Sequence, residues 1–431
     1  MKRIWLVCAL AGGFLVYSGR GRAQAPVPDS TLIDHFMKLN SQGHFEQVLQ
    51  MLPPAMQQQI TAATLQRVWN QATGALGTYR RLIRIQEELR DTMNIAQAKC
   101  AFDRGFLTMN FVVNPDHQLI GFHVLAIDSV TAGAGAPGTI MVSVPGGRIA
   151  GTLLVPEGKG KVPVALIIAG SGPMDRNGNE GTQLRTNCYS MLADSLKDHG
   201  IASLRYDKRF VGASADFTGS GEHVKLEDFV SDAEALMKFL RKDRRFSKLI
   251  VIGHSEGSLI GMLAAQKQSP DAFISIAGAG EPLDKIMAWQ FAQQPEMTLD
   301  LQGRLKILLD SLRGDRIVHD LKPPLDRLFN IGVQRFLMSE FKYDPSWEIG
   351  HLRMPVLIMG GTHDLQVTPG QAQKLKAAKP DAELVMVPGM NHILKDAPED
   401  REKNLETYTE PALPIDSLLV RSIVAFTKKV P

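Results

Sequence analysis

The sequence predicts an α/β protein with a mostly parallel, doubly wound sheet and a helical insertion, preceded by a small α+β unit. Three observations predict it. From residue 162 to the C-terminus, short apolar runs alternate with helical patterns, as in a parallel sheet covered on both faces. A Gly-x-Ser-x-Gly turn, 253–257, directly follows one of these runs. A stretch of small residues, 129–139, separates this region from a segment with a different pattern.

The first 25 residues have the pattern of a secretory signal peptide. A basic tip precedes an apolar stretch that ends near Tyr17, and small residues follow. Cleavage after Ala25 would leave Pro26 at the new terminus, so Ala23 is an alternative site. The apolar stretch is too short to span a bilayer core of about 30 Å. We therefore expect a secreted or periplasmic protein without a stable membrane span.

Residues 29–128 are expected to form the small α+β unit. Its expected helices are 31–39, 45–52 and 62–73, and its expected strands are 79–89, 93–102, 106–113 and 119–125. Helices followed by antiparallel strands are typical of such a unit, and no catalytic grouping of side chains lies in it. Without the signal peptide, the remaining cysteines are Cys100 and Cys188, which could form one disulfide or remain two separate thiols.

Residues 140–431 are expected to form the large sheet domain. A hairpin of 140–144 and 149–155 opens it, and a helix, 416–428, closes it. One zone, 286–341, interrupts the alternation of strands and helices because it is helical and rich in Met, Trp, Phe and Leu. Since this zone is inserted between two strands, we expect it to cover the site as a cap.

Ser255 is the expected nucleophile. An apolar run, 249–252, enters the turn Gly253-His-Ser-Glu-Gly257, and a pattern of a buried helix follows. The order strand, sharp turn, helix is that of a nucleophile elbow, in which flanking glycines let the neighbouring backbone approach the serine.

Asp364 and His392 are the expected partners of the nucleophile. A serine hydroxyl needs a neighbouring base, and in this arrangement the acid and then the histidine follow the serine along the chain. Both residues follow predicted strands, 356–359 and 383–387, so both should reach the sheet edge where Ser255 lies. His392 would be the general base and Asp364 would orient it. His363 precedes the acid, so we expect a structural role for it.

The oxyanion hole is expected to use two backbone N–H groups, those of Glu256 and Ser171. Glu256 directly follows the nucleophile, and Ser171 lies between glycines in the loop 169–179 after the first long parallel strand. The charged stretch 205–214 follows the next strand, and we expect its charges to brace that loop by ion pairs.

The composition excludes some function classes. With 48 Lys and Arg against 45 Asp and Glu, the net charge is only +3, and no basic run indicates nucleic-acid binding. Neither Cys100 nor Cys188 has a zinc-type CxxC partner.

Residues 140–430 resemble the α/β-hydrolase superfamily and, within it, secreted bacterial esterases and the serine-aminopeptidase-like group. The resemblance lies in 170–176, 205–209, 253–257, 361–364 and 391–392. With its additional N-terminal segment, which resembles a small NTF2-like domain of unknown function, the chain is similar to EstD-type carboxylesterases. The resemblance implies hydrolysis of short-acyl esters through an acyl-enzyme, and from it we expect no metal and no organic cofactor. It also implies a glycine at position 210, where this chain has Phe210.

The sequence favours a serine carboxylesterase acting on a small-molecule ester. An aminopeptidase or acyl-peptide hydrolase of the same fold would use the same three residues, but would need a carboxylate pair in the cap. The acidic residues of the cap have helical spacings typical of solvated faces; they are Glu296, Asp300, Asp310, Asp315 and Glu340. A third possibility is a catalytically idle binding protein, which the complete Ser/Asp/His set disfavours.

Overall fold

The computed structural model describes residues 29–57, 60–73, 76–90, 93–103, 105–115, 117–129, 138–158, 160–180, 184–215, 217–218, 221–294 and 297–431. They form two compact units, an N-terminal unit within 29–129 and a C-terminal unit over 138–431. The expected signal peptide and most of the expected linker lie outside the described residues.

The N-terminal unit consists of four helices followed by a four-stranded antiparallel sheet. The helices are α1 (Asp29–Ser41), α2 (Phe45–Gln50), α3 (Pro54–Gln57) and α4 (Ala62–Thr73), and the strands, in sheet order, are β1 (Tyr79–Arg90), β2 (Met93–Phe102), β3 (Gly105–Val113) and β4 (Leu119–Ser129). The helix expected over 45–52 ends two residues earlier, at Gln50, and the short α3, which starts at Pro54, was not expected. Along β3 buried and half-buried residues alternate, so one sheet face packs on the helices and encloses Phe36 and Phe111.

The C-terminal unit is built on an eight-stranded sheet. The strands are β5 (Thr139–Val144), β6 (Gly147–Leu154), β7 (Val162–Ile168), β10 (Ala202–Tyr206), β11 (Phe246–His254), β12 (Ala272–Ile276), β13 (Val356–Gly361) and β14 (Glu383–Val387). Their order in the sheet is β14-β13-β12-β11-β7-β10-β6-β5. The six strands from β14 to β10 are parallel, and the β5–β6 hairpin is antiparallel at the edge. A two-stranded pair, β8 (Asn179–Glu180) and β9 (Leu184–Arg185), was not expected.

Helices cover both faces of this sheet. Those outside the cap are α5 (Cys188–Asp198), α6 (Leu226–Arg241), α7 (Glu256–Gln268), α13 (Pro369–Ala378), α14 (Arg401–Glu406) and α15 (Ser417–Lys429). Alternate residues of one strand belong to different cores: Leu166 packs with α6 and α7, whereas Ile167 packs with α5 and α15. Burial on both faces explains why the strands read as continuous apolar runs in the sequence.

The cap lies between β12 and β13 and is longer than the expected 286–341. Its helices are α8 (Leu283–Ala292), α9 (Leu299–Arg313), α10 (Leu325–Leu328), α11 (Ile331–Glu340) and α12 (Pro345–Gly350). Side chains of α8 to α11 share a core of their own that includes Met287, Leu308 and Phe329. No helix among the described residues is long and apolar enough to cross a membrane. Cys100 and Cys188 are buried free thiols.

Candidate active site

Ser255 stands on a strained turn between β11 and α7. Its φ is +55°, a conformation that costs energy for a residue with a Cβ. The turn is possible because Gly253 and Gly257 lack side chains: a Cβ at Gly253 would lie 2.3 Å from the carbonyl oxygen of Gly257. A Cβ at Gly257 would lie 2.3 Å from the carbonyl oxygen of Ile168 in β7. The turn therefore presents the serine hydroxyl beyond the carboxyl end of the strand.

His392 bridges the hydroxyl of Ser255 and the carboxylate of Asp364. Its Nε2 lies 3.1 Å from Ser255 Oγ, and its Nδ1 lies 2.8 Å from Asp364 Oδ2. The other carboxylate oxygen, Oδ1, accepts the backbone N–H groups of Gln366 and Val367 at 2.8 and 2.9 Å. Because the carboxylate is held on both oxygens, Nδ1 must carry the proton that it shares with Oδ2, which leaves Nε2 free to accept from the serine.

The loop after β7 lies against Ser255. A Cβ at Gly170 would be 3.1 Å from Ser255 Cβ, so a side chain here would require Ser255 to shift by a few tenths of an ångström. Ser171 and Glu256 line the same cleft as Ser255. Among the hydrogen bonds of the described residues, none uses the backbone N–H of Ser171 or of Glu256. Both donors are therefore available to an oxygen atom placed in the cleft.

A buried chain of hydrogen bonds, which sequence reasoning missed, connects the loop after β7 with the backbone carbonyl of His392. Gly170 N–H donates to the hydroxyl of Tyr189 at 3.0 Å, and that hydroxyl lies 2.7 Å from His254 Nδ1. His254 Nε2 lies 2.8 Å from the carbonyl oxygen of His392. Since a carbonyl only accepts, Nε2 carries the proton and Tyr189 donates to Nδ1. Burial lowers the pKa of His254 to about 3, in keeping with a neutral ring.

Ion pairs hold the expected charged stretch in place, and its expected bracing of the loop 169–179 is confirmed. The backbone N–H and the guanidinium of Arg176 both donate to Asp207. Lys208 Nζ donates to the carbonyl oxygen of Gly170 at 3.0 Å and to Glu256 Oε1 at 2.9 Å. The third pair joins Arg209 to Asp232 on α6. Because Lys208 contacts both Gly170 and Glu256, it fixes the two segments that carry the free donors.

Phe210, which stands where the resemblance implies a glycine, keeps the conformation of a glycine. Its φ is +67°, and its ring packs against Phe217 with centroids 5.3 Å apart. The left-handed backbone at this position is one that glycine adopts without strain. His363 lies apart from the nucleophile, with its Nδ1 2.6 Å from the carbonyl oxygen of Ala397, as expected for a structural histidine.

The cap contributes a carboxyl group to the cleft, contrary to the expected solvated faces. Glu340, at the end of α11, is only 3% exposed and lines the cleft with Ser255 and Gln290. Its Oε2 accepts no hydrogen bond from the described residues. Burial, and then the charge of Glu256, raise the pKa of Glu340 well above its usual range. The expectation was wrong for Glu340 because helical spacing does not reveal which face packs on the sheet domain.

The other cap acids have different environments. The side chains of Asp300 and Asp310 are 80% and 62% exposed, and Asp315 is exposed, as expected. Glu296 lies outside the described residues. The cap leaves a free volume of about 30 Å³ above the nucleophile, which is room for a group no larger than a few atoms.

Parts of the chain match two protein families, and most of it aligns with a curated relative. Residues 180–319 match the family described as serine aminopeptidase, S33, and residues 34–122 match a protein family of unknown function, DUF3887. The chain is 22% identical over 364 residues to esterase EstD of Thermotoga maritima, a match that covers 81% of this chain and 84% of that protein.

Two solved structures that match part of this chain illustrate the comparison. Est1E from Butyrivibrio proteoclasticus is 17% identical, with a TM-score of 0.43 and coverage of 68% of this chain and all of that one. The enol-lactonase from Burkholderia xenovorans is 19% identical, with a TM-score of 0.41 and coverage of 67% and 100%. The sheet order and the elbow at Ser255 are those of an α/β-hydrolase fold, and within the chain residues 180–319 match the serine aminopeptidase S33 family and residues 34–122 match DUF3887.

Proposed function

We propose that this protein is a serine carboxylesterase that hydrolyses short-acyl esters through an acyl-enzyme. The observation that carries the proposal is the continuous contact from Ser255 Oγ through His392 to Asp364. His392 Nε2 takes the proton of the hydroxyl as Oγ attacks the ester carbonyl, and Asp364 stabilises the imidazolium that forms. The N–H groups of Ser171 and Glu256 would then bind the oxyanion.

The remaining steps return the enzyme to its starting state. His392 gives its proton to the departing alkoxide, so the alcohol leaves and the acyl group stays on Ser255. Water then attacks the acyl-enzyme while His392 accepts its proton, and the second tetrahedral intermediate releases the acid and regenerates the hydroxyl. No group beyond this chain and water is needed for the balance.

The small free volume beside Ser255 supports a preference for short acyl groups. About 30 Å³ accommodates an acetyl methyl group, whereas a longer chain must displace the cap. We also propose, from the pattern of the first 25 residues, that the enzyme acts outside the cytoplasm after removal of a signal peptide.

A serine aminopeptidase is the second candidate, and Glu340 is the observation that favours it. A buried cap carboxyl beside the nucleophile could bind a substrate ammonium group. However, its raised pKa favours the neutral acid, which binds a cation weakly. Glu281, the neighbouring carboxylate, is already paired with Lys374 and accepts from Gln371 at 2.9 Å. These two environments favour the esterase over the peptidase.

The decisive experiment compares Ser255→Ala with Ser258→Ala. Ser258 is a buried serine in α7, and its hydroxyl lies 2.7 Å from that of Ser275. With p-nitrophenyl acetate we expect a loss of about 10⁴-fold or more in kcat for Ser255→Ala and little change for Ser258→Ala. A fluorophosphonate should label the wild-type chain once, at Ser255. Unchanged turnover in Ser255→Ala would refute the proposal, and absence of labelling would favour an idle binding protein.

A substrate panel separates ester from peptide preference. Acetyl and propionyl p-nitrophenyl esters should give the highest kcat/KM, and octanoyl esters should be at least about tenfold slower because the cap must move. Aminoacyl nitroanilides cleaved faster than the acetyl ester would instead establish the aminopeptidase.

A further inference from the structure

The N-terminal unit contains a cavity that the proposed hydrolysis does not use. It lies between the helices α1, α3 and α4 and the strands β3 and β4, and its volume is about 270 Å³. Phe36, Trp69 and Phe122 supply aromatic walls, and Met56 and Met109 supply flexible ones. Val68, on the same helix as Trp69, also lines the cavity although it is 48% exposed, so the cavity opens beside it to solvent.

The volume and walls of this cavity set the size and type of its ligand. An engineered apolar cavity of about 150 Å³ is large enough to bind benzene. A cavity of about 270 Å³ therefore accommodates one ring with a short substituent. Aromatic and methionine side chains favour such a ring by stacking and sulfur contacts. None of the described residues that line the cavity is charged, so an ionised ligand would lose its hydration without compensation.

One buried polar group in the cavity has an unused acceptor. Asn40 is only 3% exposed and lines the cavity. Its Nδ2 donates to the carbonyl oxygen of Phe36 at 2.8 Å. Because that carbonyl can only accept, the amide orientation is fixed and Oδ1 is the remaining atom. No hydrogen bond to Oδ1 occurs within the described part of the chain, whereas the hydroxyl of Thr64 is already paired with that of Thr61 at 3.0 Å.

We propose that this cavity is a binding site for a neutral single-ring molecule that carries one hydroxyl or N–H donor, with a simple alkylphenol as the representative ligand. The ring occupies the space between Phe36, Trp69 and Phe122, and the donor bonds to Asn40 Oδ1. A buried acceptor left without a donor is costly, so the site discriminates against the same ring without a donor. The site is independent of Ser255 and of the proposed esterase activity.

The test measures binding of 4-propylphenol and of its methyl ether, 4-propylanisole, to the full chain by calorimetry. Wild-type protein should bind the phenol at least about tenfold more tightly than the ether. In Asn40→Leu this preference should disappear while the ether still binds, which also shows that the variant is folded. Val68→Trp, a change at the half-exposed mouth, should weaken both ligands and provides a second variant. Trp69 fluorescence should be quenched by the phenol in wild type, and Trp69→Phe should abolish that signal.

Two controls locate the site and make the proposal refutable. Protein whose Ser255 is blocked with a fluorophosphonate should bind the phenol with an unchanged Kd. Loss of binding after blocking would place the ligand in the cleft at Ser255. That result would overturn the proposed phenol site and leave the proposed esterase activity intact. No binding by wild type, or an undiminished preference for the phenol in Asn40→Leu, would equally overturn it.

Discussion

The change Tyr189→Phe removes a single hydroxyl group that joins two functional loops. The ring remains, so the packing of α5 is kept, but Gly170 N–H loses its acceptor and His254 Nδ1 loses its donor. Gly170 precedes Ser171, the proposed oxyanion donor, and His254 supports the carbonyl of His392. The hydroxyl therefore positions both halves of the site without touching the substrate.

The expected size of the effect follows from the two groups left without a partner. Each buried, unsatisfied polar group costs about 1–3 kcal/mol, so Tyr189→Phe, which leaves two such groups, should lower the free energy of unfolding by about 2–6 kcal/mol. An oxyanion donor contributes about 3 kcal/mol to the transition state, and partial misplacement of Ser171 should remove about half of it. We therefore expect kcat to fall about tenfold while KM stays nearly constant, since the substrate pocket is unchanged.

The assay combines steady-state hydrolysis of p-nitrophenyl acetate with urea denaturation. Tyr79→Phe is the control, because the hydroxyl of Tyr79 also donates a hydrogen bond, a half-buried one to Asp34 at 2.5 Å, but in the N-terminal unit. The control should lose stability and keep its kcat. A Tyr189→Phe enzyme with wild-type kcat would show that the chain of hydrogen bonds is only structural, and the positioning argument would be wrong.

Three further predictions concern pH, charge and helix stability. The pKa of His254 is about 3 in the folded protein and about 6.5 in the unfolded chain, so the unfolded state takes up the proton first as the pH falls. The free energy of unfolding should therefore fall by up to about 1.4 kcal/mol per pH unit between pH 6.5 and pH 3, and His254→Gln should show a shallower decline in urea midpoints. Lys208→Met leaves the buried carboxylate of Glu256 unpaired and should cost about 3–5 kcal/mol, whereas adding Glu256→Gln should recover part of the loss in a thermal melt. Gly303→Ala lies within α9, where a Cβ meets no atom within 4 Å, and should raise stability by about 0.5–1 kcal/mol; a lower Tm would contradict this reasoning.

The strands of the sheet and the positions of the three proposed catalytic residues could be predicted because both depend on local patterns. A strand buried on both faces, such as β11, must be apolar throughout, and the elbow at Ser255 needs glycine at 253 and 257 wherever it occurs. The chain order of Asp364 and His392 then follows from the strands that carry them. In contrast, the two-residue strands β8 and β9 contain too few residues to form a pattern.

Side-chain partners distant in sequence could not be predicted. Tyr189 and His254 are 65 positions apart, and neither lies in a motif that names the other. Glu340 did offer a signal: Phe336 and Leu337, four and three positions before it on α11, belong to the packed face of the helix. Helical spacing applied to the apolar neighbours, rather than to the acids alone, would have placed Glu340 on the buried side.

The contact between Ser255 and His392 joins positions 137 apart in the chain. Pairings of such long range form late, because closing a large loop costs entropy before any contact compensates for it. The proposed esterase activity should therefore recover more slowly during refolding than the helical circular dichroism. The recovery of turnover would then report the last step of folding. Spectroscopic probes of single helices or strands do not detect that step.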